Sequence, residues 1–217
     1  MSIVDWIFPR TCVGCGREGE YICAECQSKL VKPKQICPMC GRYSLDGWTH
    51  VRCKRGAVME RLVIGLTYRG MVQQCLKKVK YKGSWEIISF LFELWQENCR
   101  DTVPRDTVIT SVPMYQQKER ERGFNQAERI ARCLGNPIQL LERVRATEPM
   151  FGLTRKARKE NISGAFRVNV HKSQMYTNVH KLILVDDVWT TGATMRECAR
   201  VLKKRGIEEI WGVALAG

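Results

Sequence analysis

The chain has 217 residues, with 36 Lys and Arg against 22 Asp and Glu, a formal charge of +14. That length suits one core of ordinary size plus a small appendage, and that charge favours nucleic acid, anionic nucleotides or an acidic membrane surface as partners. No apolar run approaches the roughly 20 residues that a membrane-spanning helix needs. The opening "MSIVDWIFPR" carries an acid and lacks the basic region and long apolar stretch of a secretory signal. A cytoplasmic protein is expected.

Eleven cysteines in such a chain do not suit a disulfide framework. Seven of them fall within the first 53 residues, whereas Cys75, Cys99, Cys133 and Cys198 stand singly and read as small buried hydrophobes. The cluster opens with "CVGC" (Cys12, Cys15), "CAEC" (Cys23, Cys26) and "CPMC" (Cys37, Cys40), and "HVRC" offers His50 and Cys53 at the same spacing. A C-x-x-C turn directs two thiolates at one ion, and two such knuckles close a tetrahedral shell of the structural zinc type. Eight ligands suffice for two Zn2+ ions, one all-cysteine and one with three cysteines and a histidine. The spacing allows sequential or interleaved pairing. It also allows a single ion that leaves Cys23, Cys26 or the His50 knuckle spare, with His50 merely solvated. Little core lies between the knuckles, so metal supplies the folding energy, about 10–16 kcal/mol in small finger peptides. Residues 1–56 are expected to form this zinc-binding domain.

From residue 57 to 217 the pattern becomes α/β. Strands are expected at 61–68, 106–114, 137–144, 164–169, 181–187 and 208–216, and helices at 71–81, 84–99 and 123–135, the last closed by Gly135. Alternating strands and helices imply a parallel sheet covered on both faces. Between the strand ending at Pro113 and the next helix lie Lys118, Arg120 and Arg122, whose charges suit a polyphosphate, although Glu119 and Glu121 alternate with them. The stretch 143–166 is long, basic and poorly periodic.

The densest signal is "LILVDDVWTTGAT", residues 182–194. Leu182 to Val185 form a short, continuous apolar run suited to a strand buried on both faces. Asp186 and Asp187 stand where that strand ends, the place where open α/β sheets bind ligands. Thr190, Thr191, Gly192, Ala193 and Thr194 lead into a helix with apolar residues at Met195, Ala199 and Leu202. Amides at a helix N-terminus favour a phosphate, and hydroxyls add donors. Acceptor-only carboxylates beside a phosphate cradle suit a phosphorylated sugar.

This stretch resembles the phosphoribosyl-pyrophosphate (PRPP) motif of type I phosphoribosyltransferases. By that resemblance Asp186 and Asp187 meet the ribose hydroxyls as the candidate catalytic pair, and Thr190–Thr194 grip the 5-phosphate. Mg2+ accompanies the PRPP. Lys118, Arg120 and Arg122 fall near the pyrophosphate or a nucleic-acid backbone, 143–166 falls where the family keeps a closing loop, and Trp189 has no evident role beyond packing. Together with "FPRTCVGCG", "CPMCG", "RGFNQA" and "RKENISGAF", the motif resembles the ComF family of bacterial competence proteins across almost the whole chain. Two positions depart from that pattern: Met150, where many members have glutamine, and His50, where a cysteine is expected. The resemblance implies a role in natural transformation: binding single-stranded DNA and PRPP, with helicase-like uptake proteins as partners and a place at the inner face of the membrane through them. It also leaves a second function open, transfer of phosphoribose from PRPP to a nucleobase-like acceptor. Tyr43, Trp48 and Tyr68 are the candidate stacking aromatics for single strands.

Overall fold

A computed structural model describes residues 10–82, 85–99, 102–104, 107–148, 152, 154–169 and 179–217. Its main sheet is parallel and four-stranded, built from β1 (Arg61–Leu66), β2 (Val108–Ser111), β5 (Lys181–Val188) and β6 (Glu209–Ala216) in the order β1-β6-β5-β2. β5 is therefore hydrogen-bonded on both sides, Leu184 facing Gly212 of β6 and Thr110 of β2. Its apolar run alternates even where the sequence does not. Ile183 and Val185 join Val63, Val213 and Leu215 on one face, under α2 (Gly70–Lys82), α3 (Trp85–Cys99) and α5 (Gln126–Leu134). Leu182 and Leu184 join Leu62, Ile64 and Ala214 on the other, against Met195, Cys198, Ala199 and Leu202 of α7 (Ala193–Lys203). Burying each such side chain contributes about 1.5–3 kcal/mol. Gly65 is required for the close approach of α3, since a Cβ there would stand 1.8 Å from Trp95 Cδ1.

The expected strands at 137–144 and 164–169 do not join this sheet. They shrink to β3 (Leu141–Arg143) and β4 (Phe166–Val168), an antiparallel pair of their own. Phe166 and Val168 are buried while Arg167 between them is exposed. A strand with one wet face suits antiparallel pairing, not a sheet covered on both sides. The basic stretch 143–166 contains helix α6 (Arg155–Ile162), whose N-cap Thr154 accepts from Ala157 N at 3.2 Å. Met150 and the segment 171–178 lie outside the described residues.

The segment after β2 forms a further helix, α4 (Gln116–Arg122), where no helix was expected. It stops at Gly123, whose φ of 81° is left-handed, and Asn125 then opens α5 by accepting from Ala127 N at 3.1 Å. Asn125 Nδ2 also donates to Val112 O at 3.0 Å, so "GFN" is a helix stop and a helix start pinned to the end of β2. Of the isolated cysteines, Cys75, Cys99 and Cys198 are buried, and burial pushes Cys75 and Cys99 up to about 11. Cys133 is exposed, against expectation, because it lies on the outer side of α5 with Sγ directed at Arg129 O.

The N-terminal cysteine-rich segment, which includes the short helix α1 (Ala24–Gln27), covers the open edge of β1. Gln35 substitutes for a missing strand: its Oε1 accepts from Ile64 N at 3.0 Å and its Nε2 donates to Ile64 O at 2.7 Å. Gly47 packs so closely on β1 that a Cβ would fall 1.8 Å from Leu62 O. An unpaired strand edge is an aggregation hazard, and here a side-chain amide closes it. Gln35→Ala leaves a buried backbone donor and acceptor unpaired at about 1–3 kcal/mol each, so its urea midpoint is expected to fall well below that of the parent protein.

Candidate functional site

β5 extends through Asp186, Asp187 and Val188 before the chain turns at Trp189, whose amide donates to Ala216 O at 2.8 Å. Successive strand residues point to opposite faces. Asp186 follows the parity of Leu184 and turns to the α7 side, where it borders a small cavity lined also by Arg158, Trp189 and the Thr190–Thr194 loop. Asp187 follows Val185 to the opposite face and does not line that cavity; its amide donates to Asp186 Oδ1 at 2.9 Å. Gly192, at φ 71°, is the N-cap of α7 and caps it with no side chain, so the first-turn amides face the cavity with no intrahelical acceptor. Trp189 has a definite place: it is buried, and a Cβ on Gly192 would lie 2.2 Å from its Cζ2. Only glycine satisfies both the left-handed backbone and the indole against it.

Two arginines join this region that sequence reasoning did not single out. Arg158 on α6 approaches Thr190 Oγ1 with Nη1 at 3.4 Å. Arg143 at the end of β3 stacks on Phe166, 5.5 Å from ring centre, and donates to Thr147 Oγ1, while its Nε is buried with no partner among the described residues. Burial lowers the Arg143 pKa, and the negative charges available to Cys198 and Asp186 oppose that effect. The "TRKARKEN" run carried the only sequence signal for Arg158; nothing local marked Arg143.

Beside Arg143 a cavity of about 440 Å³ opens at the end of β2, lined by Pro113, Asn125, Glu128, Gln139, Glu142 and Asn169 among others. Helix α4 contributes Gln116 and Glu119 to it, one turn apart. Burial and then the charge of Glu128 raise the Glu119 pKa. Lys118 and Arg120 are exposed and do not line this cavity, and Arg122 donates to Gln126 Oε1 at 3.1 Å.

The eight knuckle residues gather into two groups of four in sequential pairing. Cys12, Cys15, Cys23 and Cys26 form one, and Cys37, Cys40, His50 and Cys53 the other, each with ligand atoms within 4.8 Å of one another. These are the donor sets of closed structural zinc sites. Cys12 Sγ accepts from the amides of Cys23 and Gly14, both at 3.4 Å. The Cys23 amide is the main cause that lowers the Cys12 pKa to about 6, while burial pushes Cys26 up to about 12. In the second group His50 Nδ1 faces Cys40 Sγ at 3.4 Å and Nε2 lies 2.9 Å from Tyr43 O. That carbonyl favours the proton on Nε2, which leaves the Nδ1 lone pair available to a metal. The same ribbon exposes Tyr43, Leu45, Trp48 and Val51, beside Arg42, Arg52, Lys54 and Arg55.

Residues 3–56 match the family model of the double zinc ribbon domain, and residues 120–216 that of the phosphoribosyl transferase domain. A zinc-ribbon module joined to a phosphoribosyl transferase fold is thus the class of protein that fold and site define. The chain is 29% identical over 205 residues to Competence protein ComFC of Bacillus subtilis, covering 86% of this chain and 80% of that protein. It is 29% identical over 220 residues to Competence protein F of Haemophilus influenzae, covering 94% and 90%. It is also 27% identical to DNA utilization protein YhgH of Escherichia coli, over 88% of each chain. Over most of its length the chain is therefore similar to competence proteins of the ComF type. No helix among the described residues is long and apolar enough to cross a membrane.

The two clusters carry a direct expectation. Purified protein should contain two zinc ions per chain by atomic emission, and Cys53→Ser should retain one. Chelation should unfold the ribbons while the amides of Leu182–Val185 stay protected from hydrogen exchange.

Proposed function

We propose that this chain acts in natural transformation, binding PRPP with Mg2+ at the carboxyl end of β5 and single-stranded DNA through its basic surface. The observation that carries the PRPP reading is the Thr190–Thr194 loop, held at the N-terminus of α7 by Gly192 with Asp186 beside it. In this reading the loop amides and threonine hydroxyls take the 5-phosphate, and Arg158 adds a guanidinium to it. Asp186, which borders the loop cavity, accepts from the ribose hydroxyls, and Asp187, next along at the carboxyl end of the strand, is the second carboxylate assigned to them. Lys118, Arg120 and Arg122 serve the pyrophosphate or the nucleic-acid backbone from α4. The DNA reading rests on the charge of +14 and on Tyr43 and Trp48, exposed among arginines and lysines of the second ribbon. Aromatic faces beside cations hold single strands by stacking and phosphate contact. Residues 1–56 and 57–217 form the two units, the protein works in the cytoplasm, and a helicase-like uptake protein is its partner at the inner face of the membrane.

A second reading has an observation of its own. The cavity of about 440 Å³ beside Arg143 is lined by Asn125, Gln139 and Asn169 together with the Glu119, Glu128 and Glu142 carboxylates, a polar lining and a size suited to a nucleobase-like acceptor. Phosphoribosyl transfer to such an acceptor would release pyrophosphate. Its production in the presence of PRPP, Mg2+ and a panel of bases separates turnover from binding alone.

Calorimetric titration with PRPP and Mg2+ is expected to give binding by the parent protein and much weaker binding by Asp186→Asn with Asp187→Asn. Each charged hydrogen bond lost costs about 1.5–3 kcal/mol. Equal affinity in the double variant overturns the ribose assignment. For single-stranded DNA, log affinity is expected to fall linearly with log salt, by about 0.7 per phosphate contact. Tyr43→Ala should weaken binding by about 1–3 kcal/mol without changing that slope. A salt-independent affinity removes the electrostatic reading.

A further inference from the structure

The second zinc cluster and the phosphate loop are far apart in sequence and joined in space by one side chain. Arg196 stands in the first turns of α7. Its Nε donates to Pro38 O, inside the Cys37–Cys40 knuckle, at 2.5 Å. Its Nη1 donates to Thr191 O, in the loop itself, at 2.7 Å. Its guanidinium carbon also lies 5.0 Å from the centre of the Trp189 ring. That ring is the surface against which Gly192 closes. The contacts run from knuckle to guanidinium to indole to loop without a gap. A planar fork can donate to two carbonyls while stacking on a ring, which a lysine ammonium cannot do.

We propose that Arg196 is a positioning residue through which the second zinc cluster sets the conformation of the Thr190–Thr194 loop. The carbonyl of Pro38 sits in a turn shaped by the Gly41 amide on Cys37 O and the Cys37 amide on Arg42 O, and a metal held by Cys37 and Cys40 would lock that turn in place. Arg196 carries that placement to Thr191 and Trp189. Zinc occupancy and phosphate binding are therefore linked, and linkage is reciprocal: what zinc does to the ligand's affinity, the ligand does to zinc's. The ligand half of this rests on the PRPP reading above. The latch itself does not, and the test keeps the two apart.

The test is hydrogen exchange of the loop, residues 189–194, read by mass spectrometry without ligand. Zinc-loaded parent protein, zinc-stripped parent protein, and zinc-loaded Arg196→Ala and Arg196→Lys are compared, with Leu182–Val185 of β5 as the internal control. Stripping is expected to raise exchange in the loop by about tenfold, within the usual range of such couplings. Zinc-loaded Arg196→Ala is expected to match the stripped protein, and Arg196→Lys to restore at most part of the protection, while zinc content and the β5 control stay at parental values. Unchanged loop protection in zinc-loaded Arg196→Ala overturns the proposal, even if stripping unfolds more of the chain. Zinc transfer to a chromophoric chelator is then timed with and without PRPP and Mg2+. PRPP should slow loss from the second cluster in the parent protein and have no effect in Arg196→Ala. PRPP that slows zinc loss equally in both overturns the coupling and leaves the PRPP reading standing. Absence of PRPP binding by the parent protein, together with zinc- and Arg196-dependent loop protection, overturns the PRPP reading and leaves the latch standing.

Discussion

The double hydrogen bonding of β5 fixes everything placed at its carboxyl end. With β6 on one edge and β2 on the other, the strand cannot slide without breaking two ladders and moving Leu182–Val185 out of both cores. Asp186, Trp189 and Gly192 inherit that position. The strand's strict alternation also divides its two carboxylates. Asp186 joins the side of Arg143 and Cys198, and Asp187 the side of Ile183 and Val185.

The ribbons do more than hold metal. A four-stranded sheet leaves two edges, and β1 is covered by Gln35, Gly47 and the bridge from Trp48 to Arg61. Arg61 lies against the rings of both Trp48 and Trp211, 5.0 and 4.8 Å from their centres, and the two rings meet edge to face at 5.2 Å. The first ribbon enters the hydrophobic core directly, with Cys12, Ile22, Cys23 and Cys26 packed in the same cluster as α2 and α3. Metal closure and core burial are thus not separate sources of stability: the chain that the metal orders is the chain that covers the sheet.

Much of this was legible residue by residue. The knuckle spacing picked out the eight residues that the fold gathers into two groups of four, because a C-x-x-C turn is a local device. The apolar run and the two acids marked β5, because its boundaries are set by burial and by the carboxylates. Errors arose where local signals were short or shared. Gln116–Arg122 is rich in charge with no apolar stripe, so helical periodicity was invisible, yet the chain is helical between Pro113 and the stop at Gly123. β3 and β4 carried strand-forming residues, but the alternation in "FRV" pointed to a one-sided strand and was read as part of the buried sheet.

The sequence by itself determined what local chemistry determines: which residues can ligate zinc, where the central strand ends in acids, and where a helix begins behind a glycine. It left open which knuckles share an ion, and it gave no role to Trp189, Arg143, Arg158 or Arg196. Tertiary structure decided these because each depends on segments that meet only after folding. The Arg196 contact spans 158 residues between donor and acceptor, and its acceptor is a backbone carbonyl that any residue type could offer. A pattern of side chains cannot encode such a contact; only the packing of α7 against the second ribbon creates it.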